Sequence, residues 1–393
     1  MQLVAYGAQD VYLTAEPTIT FWKAVYRRHT NFAMESMEQT FNGTANFGNK
    51  VMCRISRNGD LMGRSYVRCI LPALSTSEAW VNRVGFRLLK QVELRVGGQM
   101  IDRHYSNWMQ IWSELTHTTD QKDLLDKLVG GTSTDGARNT ADVSTSALTL
   151  NVPLMFAFNR HPGLALPLIA LQYHEVEIYI EFESLANCVA DGVFGGTTAS
   201  LTNASLWVDY IFLDTEERKE FAQKPHEYLI ECTQQQSSSV NAGANNSVRL
   251  TFNHPTKFIA WVIRGSDVSG NPGSGRDEFT DFTNGSGANS ITLGKIKLNG
   301  QDRFTERTPE YFNYVQPYQH FSGKPDLGIN VYSFALKPEE HQPSGACNLS
   351  RIDNVNLELT VASGMTYPVL DVYAFNYNVF RVASGMGGLA YSN

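Results

Sequence analysis

Cysteine is scarce in this 393-residue chain and poorly placed for chemistry. Cys53, Cys69, Cys188, Cys232 and Cys347 are odd in number, scattered, and include no C-x-x-C pair. That excludes a disulfide frame or a thiolate zinc site and reads as free thiols in a reducing compartment. Charge is thin too. Asp, Glu, Lys and Arg make up 18% of the residues, against about a quarter in ordinary domains, so much surface should be hidden in a core or against partners. The balance of 32 Lys+Arg against 39 Asp+Glu leaves −7, the wrong sign for wrapping nucleic acid. Direct nucleic-acid binding is not expected. No apolar run approaches the roughly 18 residues of a membrane helix. The run Met1-Gln2-Leu3-Val4-Ala5-Tyr6 lacks the basic flank and apolar stretch of a secretory signal, so cytosolic synthesis is expected.

Catalytic patterns are missing as well. There is no H-E-x-x-H, no G-x-S-x-G and no Walker A loop; Gly294-Lys295 lacks the upstream glycine and the following Ser/Thr. The nine histidines include no H-x-H pair of the kind a metal-binding β-barrel uses. His161, His174 and His341 read as surface or hydrogen-bonded core residues. No catalytic, cofactor-binding or metal-ligating residue is expected, and no cofactor.

What is present is strand pattern. Val176, Ile178, Ile180 and Phe182 alternate with polar or amphipathic residues, as do Val355, Leu357, Leu359 and Val361. Further candidates are 64–71, 84–96, 151–158, 205–213, 248–252, 257–264, 290–298, 329–336 and 369–382, each bounded by Gly, Asn or Pro. Gly97-Gly98 and Asn299-Gly300 carry the chemistry of tight hairpins. Helix signals are few: a start near Pro17 that puts Phe21, Trp22, Val25 and Tyr26 on one face, the stretch 105–128, and a short helix opened by Thr308-Pro309-Glu310. Residues 129–149, 184–204 and 264–290 read as loops, 233–247 as a polar low-complexity stretch, and the charged run 214–227 as an inter-domain linker. The expected fold is all-β with short helical inserts.

The two halves resemble each other. An alternating strand, a Gly hairpin and a Gln (residues 92–99) recur at 296–301. Trp108, Met109, Trp112 and Leu115 map onto Tyr311, Phe312, Val315 and Tyr318; Val176–Phe182 map onto Val355–Val361; Tyr210 and Phe212 map onto Tyr373 and Phe375. The offset falls along the chain, as it does when a second copy has shorter loops. Each half holds roughly eight strands, enough for a double-sheet jelly roll. The expected division is an N-terminal arm at 1–27, a first jelly roll at 28–213, a linker at 214–227 and a second jelly roll at 228–393.

Two local features invite a functional reading. Lys23, Arg27, Arg28 and His29, followed by Arg54, Arg57, Arg64 and Arg68, form a basic cluster, either a solvated face or a docking surface for an acidic partner or anionic membrane. N-x-S/T sequons occur at Asn42, Asn203, Asn245, Asn284 and Asn348. In a chain this rich in Asn, Ser and Thr several arise by chance, and Asn203 and Asn284 are the candidates for glycosylation.

The run LVAYGAQDVYLTAEPTITFWKAVYRRHTNFAMESMEQTFNG (3–43), with ISRNGDL at 55–61, closely resembles the major capsid proteins of nucleocytoplasmic large DNA viruses, those of algal and amoebal viruses above all. The likeness continues more weakly to YAFNYNVFRVASGMGGLAYSN at the C-terminal end (373–393), and the chain looks shorter than many relatives, in its loops. The resemblance implies two tandem jelly rolls, a homotrimer of pseudo-hexagonal outline, and tiling into an icosahedral virion shell assembled in the host cytoplasm. It implies a structural protein rather than an enzyme. Its partners would be itself, neighbouring capsomers, minor capsid proteins and the internal viral membrane. Phe21, Trp22, Lys23, Val25, Tyr26, Arg27 and Arg28 of the arm are the expected inner-face contacts. The alternatives are a minor capsid paralogue and a carbohydrate-binding jelly-roll surface protein; loops at 129–149 and 184–204 almost devoid of aromatics disfavour the second.

Overall fold

The computed structural model describes residues 7–17, 21, 28–74, 79–131, 146–190, 199–265, 279–284 and 286–391. Among the described residues, sixteen strands form the main paths of its sandwich sheets, and the short strands Leu166–Pro167, Cys347–Asn348 and Met386–Leu389 pair alongside. The first eight are β1 (Phe32–Gln39), β2 (Lys50–Arg54), β3 (Leu61–Leu71), β4 (Leu89–Val96), β5 (Gln99–Tyr105), β6 (Leu148–Pro153), β7 (Val176–Phe182) and β8 (Asn203–Leu213). The second eight are β9 (His226–Ser239), β10 (Asn245–Leu250), β11 (Pro255–Arg264), β12 (Ile291–Leu298), β13 (Gln301–Asp302), β14 (Asn330–Ser333), β15 (Val355–Val361) and β16 (Val369–Ala383). The first set makes sheets β1-β8-β3-β6 and β2-β7-β4-β5; the second makes β9-β16-β11-β14 and β10-β15-β12-β13. Adding eight to every strand of the first lobe gives the strand order of the second. The fold is a tandem pair of eight-stranded jelly rolls.

Register repeats along with order. Val92, Leu94 and Val96 of β4 face Ile180, Ile178 and Val176 of β7. Gly294, Ile296 and Leu298 of β12 face Leu359, Leu357 and Val355 of β15. Both hairpins that follow have positive φ at both central residues: 57° and 81° at Gly97 and Gly98, 50° and 79° at Asn299 and Gly300. That is the turn whose twist matches the flanking strands.

One expected equivalence is corrected. Tyr210 belongs to the interior of its own sandwich with Leu206 and Val208, whereas Tyr373 lies on the opposite face of its sheet, with Leu370, Val372 and Ala374 turned to the second-lobe core. Because side chains alternate, the pairing of Tyr210 and Phe212 with Tyr373 and Phe375 is one residue out of phase.

Other differences have local causes. Residues 84–88 are a short helix (Val84–Leu88) rather than the start of a strand, since Arg83 sits left-handed at φ 52° and turns the chain there. The strand expected at 151–158 ends at Pro153, and Ala157–Arg160 is helical. The polar low-complexity stretch from Thr233 is strand as far as Ser239. It continues β9, which pairs with β16 along all fourteen residues, and Gln236 and Gln234 accept the Thr251 and Asn253 amides at 3.0 and 2.9 Å. In the N-terminal arm the helix is Asp10–Thr14, before Pro17; the aromatic face expected after Pro17 lies, apart from Phe21, outside the described residues. The stretch 105–128 forms two helices, Ser106–Thr116 and Thr119–Val129. The charged run after β8 forms an exposed helix, Thr215–Gln223, capped by Asp214 Oδ1, which accepts from Thr215 N at 2.7 Å.

Candidate assembly surfaces

The most heavily built region outside the two sandwich cores is the junction between the lobes. β11 reads as an almost unbroken apolar run because both its faces are covered. Ile259, Trp261 and Ile263 point into the second lobe's core, while Phe258, Ala260 and Val262 join a cluster shared with the first lobe. What covers that outer face is the Ser106–Thr116 helix. Its Trp108 lies 5.5 Å from Tyr373 and 5.7 Å from Phe375, and Trp112 lies 4.9 Å from Phe375, ring centre to ring centre. Buried aromatic pairs of this kind add about 0.5–1.5 kcal/mol each beyond the area they bury. Asn107 Nδ2 donates to Asp371 Oδ2 at 3.3 Å, and Thr233 N donates to Asp102 Oδ1 at 3.0 Å.

A buried charge cluster fixes the same junction. Lys257, fully buried, donates to Glu231 and to the Glu340 carbonyl at 2.7 Å. Arg160 of the first lobe donates to the Glu231 carbonyl at 3.1 Å and lies over the rings of Trp112 and Phe375 at 5.0 and 4.6 Å. Burial pulls the Lys257 ammonium below its ordinary pKa, and the Glu231 charge only partly restores it. Sequence reasoning missed this cluster. The available signal was Lys257 itself, a lysine inside an apolar strand run.

A second network ties three helices together. Arg83 donates to Asp126 at 2.6 Å, Glu114 at 2.5 Å and Gln110 at 3.0 Å. Lys122 pairs with the other oxygen of Glu114 and donates to the Lys324 carbonyl of the second lobe at 2.6 Å.

The residues singled out from sequence are distributed differently. Of the expected inner-face contacts, Phe21 and Arg28 are exposed; Trp22, Lys23, Val25, Tyr26 and Arg27 lie outside the described residues. The basic cluster is divided. Arg54, on β2, pairs with Glu175 at 3.0 Å, and Arg57 donates to the Leu171 and His174 carbonyls. Arg64 and Arg68 stand exposed on β3, in the other sheet. Asn203 is exposed at the start of β8, while Asn284 Oδ1 accepts from the Ser286 and Ala288 amides. His174 Nδ1 accepts from Gly387 N at 3.1 Å, and exposed His161 packs 4.9 Å from His341. Among the described residues no three His, Cys, Asp or Glu side chains gather as a metal site, and no helix is long and apolar enough to cross a membrane.

Two jelly rolls in tandem, joined through a buried aromatic and ionic junction, define a double jelly-roll protein. Comparison with known proteins narrows the class. Residues 20–214 match the family described as major capsid protein N-terminus, and residues 217–388 match the large eukaryotic DNA virus major capsid protein family. The chain belongs to this family of viral major capsid proteins. It is 50% identical to the major capsid protein of Pyramimonas orientalis virus and 44% identical to that of Paramecium bursaria Chlorella virus 1, covering all of this chain and 99% of each relative. The first alignment spans 416 positions against 393 residues here, so the relative carries insertions. A chain of the PBCV-1 virus capsid superposes with a TM-score of 0.82 at 39% identity, covering 95% of this chain and 100% of that one. The Faustovirus major capsid protein shares the fold, with a TM-score of 0.75 at 15% identity over 96% and 94% of the two chains. The protein is a structural component of a virion capsid.

Proposed function

We propose that three copies of this chain form a capsomer of pseudo-hexagonal outline and that capsomers tile an icosahedral shell. The observation that carries this reading is the duplicated lobe. A chain with two jelly rolls of identical strand order presents two similar outlines, so three chains present six and can pack hexagonally. In this reading the chain divides into an arm at 1–27, jelly rolls at 28–213 and 228–393, and a linker at 214–227. It acts through its surfaces, without catalysis. Assembly takes place in the host cytoplasm. The arm, with Phe21, Trp22, Lys23, Val25, Tyr26, Arg27 and Arg28, faces inward to minor capsid proteins or the internal membrane, and Asn203 and Asn284 are positions for outward glycans. Obligate interfaces are large and apolar, so native mass spectrometry of the purified protein at low micromolar concentration should give the trimer as the main species. A clean monomer would overturn the proposal.

A further inference from the structure

Two histidines meet where the lobes join. His161 ends the Ala157–Arg160 helix of the first lobe, and His341 lies in the loop that follows β14 in the second; their rings pack at 4.9 Å with 31° between the planes. His161 is exposed and His341 half-buried, so the pair sits at the solvent edge of the Arg160–Glu231–Lys257 cluster. Both rings are held in a form that leaves no place for a second proton. His161 Nδ1 accepts the Gly163 amide at 3.1 Å, capping the Pro162–Leu164 turn, and a ring protonated on both nitrogens could not accept it. His341 Nδ1 is buried with no hydrogen-bond partner among the described residues, and a cation would leave its N–H unpaired there.

The charges around the pair are unbalanced. Arg160 and Lys257 bring two cations, and Glu231 is the carboxylate they share, hydrogen-bonded to Lys257 and 3.6 Å from Arg160. Arg160 Nε has no hydrogen-bond partner among the described residues. The neighbouring acids are engaged elsewhere. Glu340 gives Lys257 its carbonyl, while its carboxylate pairs outward with Lys337 at 2.9 Å. Glu339 accepts from the Ser322 hydroxyl at 2.8 Å, and burial raises its pKa. Asp102 of β5 is taken by His104 at 2.8 Å and by the Thr233 amide. Tyr377, whose ring lies 5.0 Å from Lys257 Nζ, is lifted by burial to about 12 and stays neutral. Burial pushes the His341 imidazole below its ordinary value; the Glu231 charge opposes this, and His161, Lys257 and Arg160 reinforce it.

We propose that the His161–His341 stack is an acid-sensitive latch on the junction between the lobes: a proton taken up by the stack places a third cation beside Arg160 and Lys257, breaks the stack and loosens the first lobe's hold on β9 and β11. Because folding depresses the His341 value, the stabilisation is complete above the unfolded-state value of about 6.5 and is lost as pH falls from there through the folded value. A carboxyl whose value is raised, such as Glu339, works in the opposite sense and cannot produce that loss. The exposed edge of His161 lets protons reach the stack without unfolding. The latch lies within one chain and operates whether or not copies associate.

Cys232 reports on the junction from inside. It is fully buried on β9 beside Glu231, and its thiol donates to the Ile101 carbonyl of the first lobe at 3.6 Å. In the full-length protein its labelling by a dipyridyl disulfide, a reagent that works in acid, is followed by peptide mass spectrometry at pH 7.5 and pH 5.5, each rate normalised to that of the denatured chain. Wild-type Cys232 should label at least about ten-fold faster at pH 5.5. In a variant carrying His161→Phe and His341→Phe, which keeps two packed rings but no titrating nitrogen, the two rates should agree within about two-fold. Cys69, buried in β3, should not accelerate in either protein. No acceleration in wild type, the same acceleration in the variant, or an equal one at Cys69 overturns the proposal. Should the variant fail to fold, deuterium exchange at the histidine Cε1–H of the wild type across pH decides. A His341 midpoint below about 6.5, together with the acceleration at Cys232, supports the latch, and a midpoint at or above that value refutes it.

Discussion

Glu93 shows how a single outward-facing strand position becomes a buried structural charge. It lies on the outer side of β4, between the inward Val92 and Leu94, yet Arg95 and Arg103 cover it, at 2.7 and 2.9 Å from its two oxygens. Burial alone would raise its pKa; the hydrogen bonds from Arg95 and the charges of Arg103 and Lys50 outweigh that and hold it below 4.5. Since the folded pKa is depressed, the stabilisation is present above about pH 4.5 and is lost as pH falls through the folded value. Glu93→Gln should cost about 1–3 kcal/mol at pH 7, a gap in denaturant midpoints that closes progressively below pH 4.5. A gap that persists in acid would mean that packing, not charge, carries the effect. The cysteines invite a second residue-scale prediction. Cys53, Cys69, Cys188 and Cys232 are buried and Cys347 is half-buried. Burial pushes the thiols up, Cys53 to about 11 and Cys69 to about 12, which suppresses the reactive thiolate. At pH 8 an aromatic disulfide reagent should titrate at most one thiol in the native protein and five after denaturation. Fewer than five in the denatured, unreduced chain would reveal disulfides.

Among the elements, the strands and the arm contrast. β7 and β15 have the same alternating burial along all seven residues, so their sequence pattern and their structure agree. β9 was hidden from pattern reading because an edge strand can satisfy polar side chains locally, as Gln234 and Gln236 do, while its backbone gains fourteen paired positions. β1 was missed for a similar reason: FAMESMEQ lacks β-branched residues and most of it stays exposed in the single chain. The arm precedes β1, and its described residues add no strand to either sandwich, so its removal should leave both cores intact. Deleting residues 1–27 is expected to leave a trimer melting within a few degrees of wild type that fails to enter particles. Aggregation, or a far lower melting temperature, would make the arm part of the fold instead.

At the scale of the whole molecule, the lobes are coupled through one continuous apolar cluster that runs from Val51 and Cys53 to Tyr373 and Phe375. Separating the lobes would expose Trp108, Trp112, Phe258 and Phe375 at once; burying each such side chain contributes about 1.5–3 kcal/mol. Arg160 and Glu231 would lose each other in the same event. The two jelly rolls should therefore unfold together, and differential scanning calorimetry should show a single endotherm. Two transitions separated by more than ten degrees would mean that the junction is weaker than its contacts imply.

The amino-acid sequence by itself determined the alternation that makes strands, the Gly-Gly and Asn-Gly turns that need positive φ, and the repeated order of strand, hairpin and aromatic helix. These signals are local, because side-chain period and turn conformation are set by a residue and its near neighbours. The N-terminal run carried the family resemblance without any fold reasoning. Tertiary structure alone decided what lies against each face. Alternation separates Val372 from Tyr373 but does not say which side is the sandwich interior and which the neighbouring lobe. It could not assign Lys257 to Glu231, 26 residues away, or Trp108 of one lobe to Tyr373 of the other. Nor could it show that Tyr318 and Leu115, equivalent in the repeat, would be left exposed in one lobe and buried in the other. Those outcomes depend on how two twisted sheets and their helices pack in space, and packing partners distant in the chain leave no periodic mark on it.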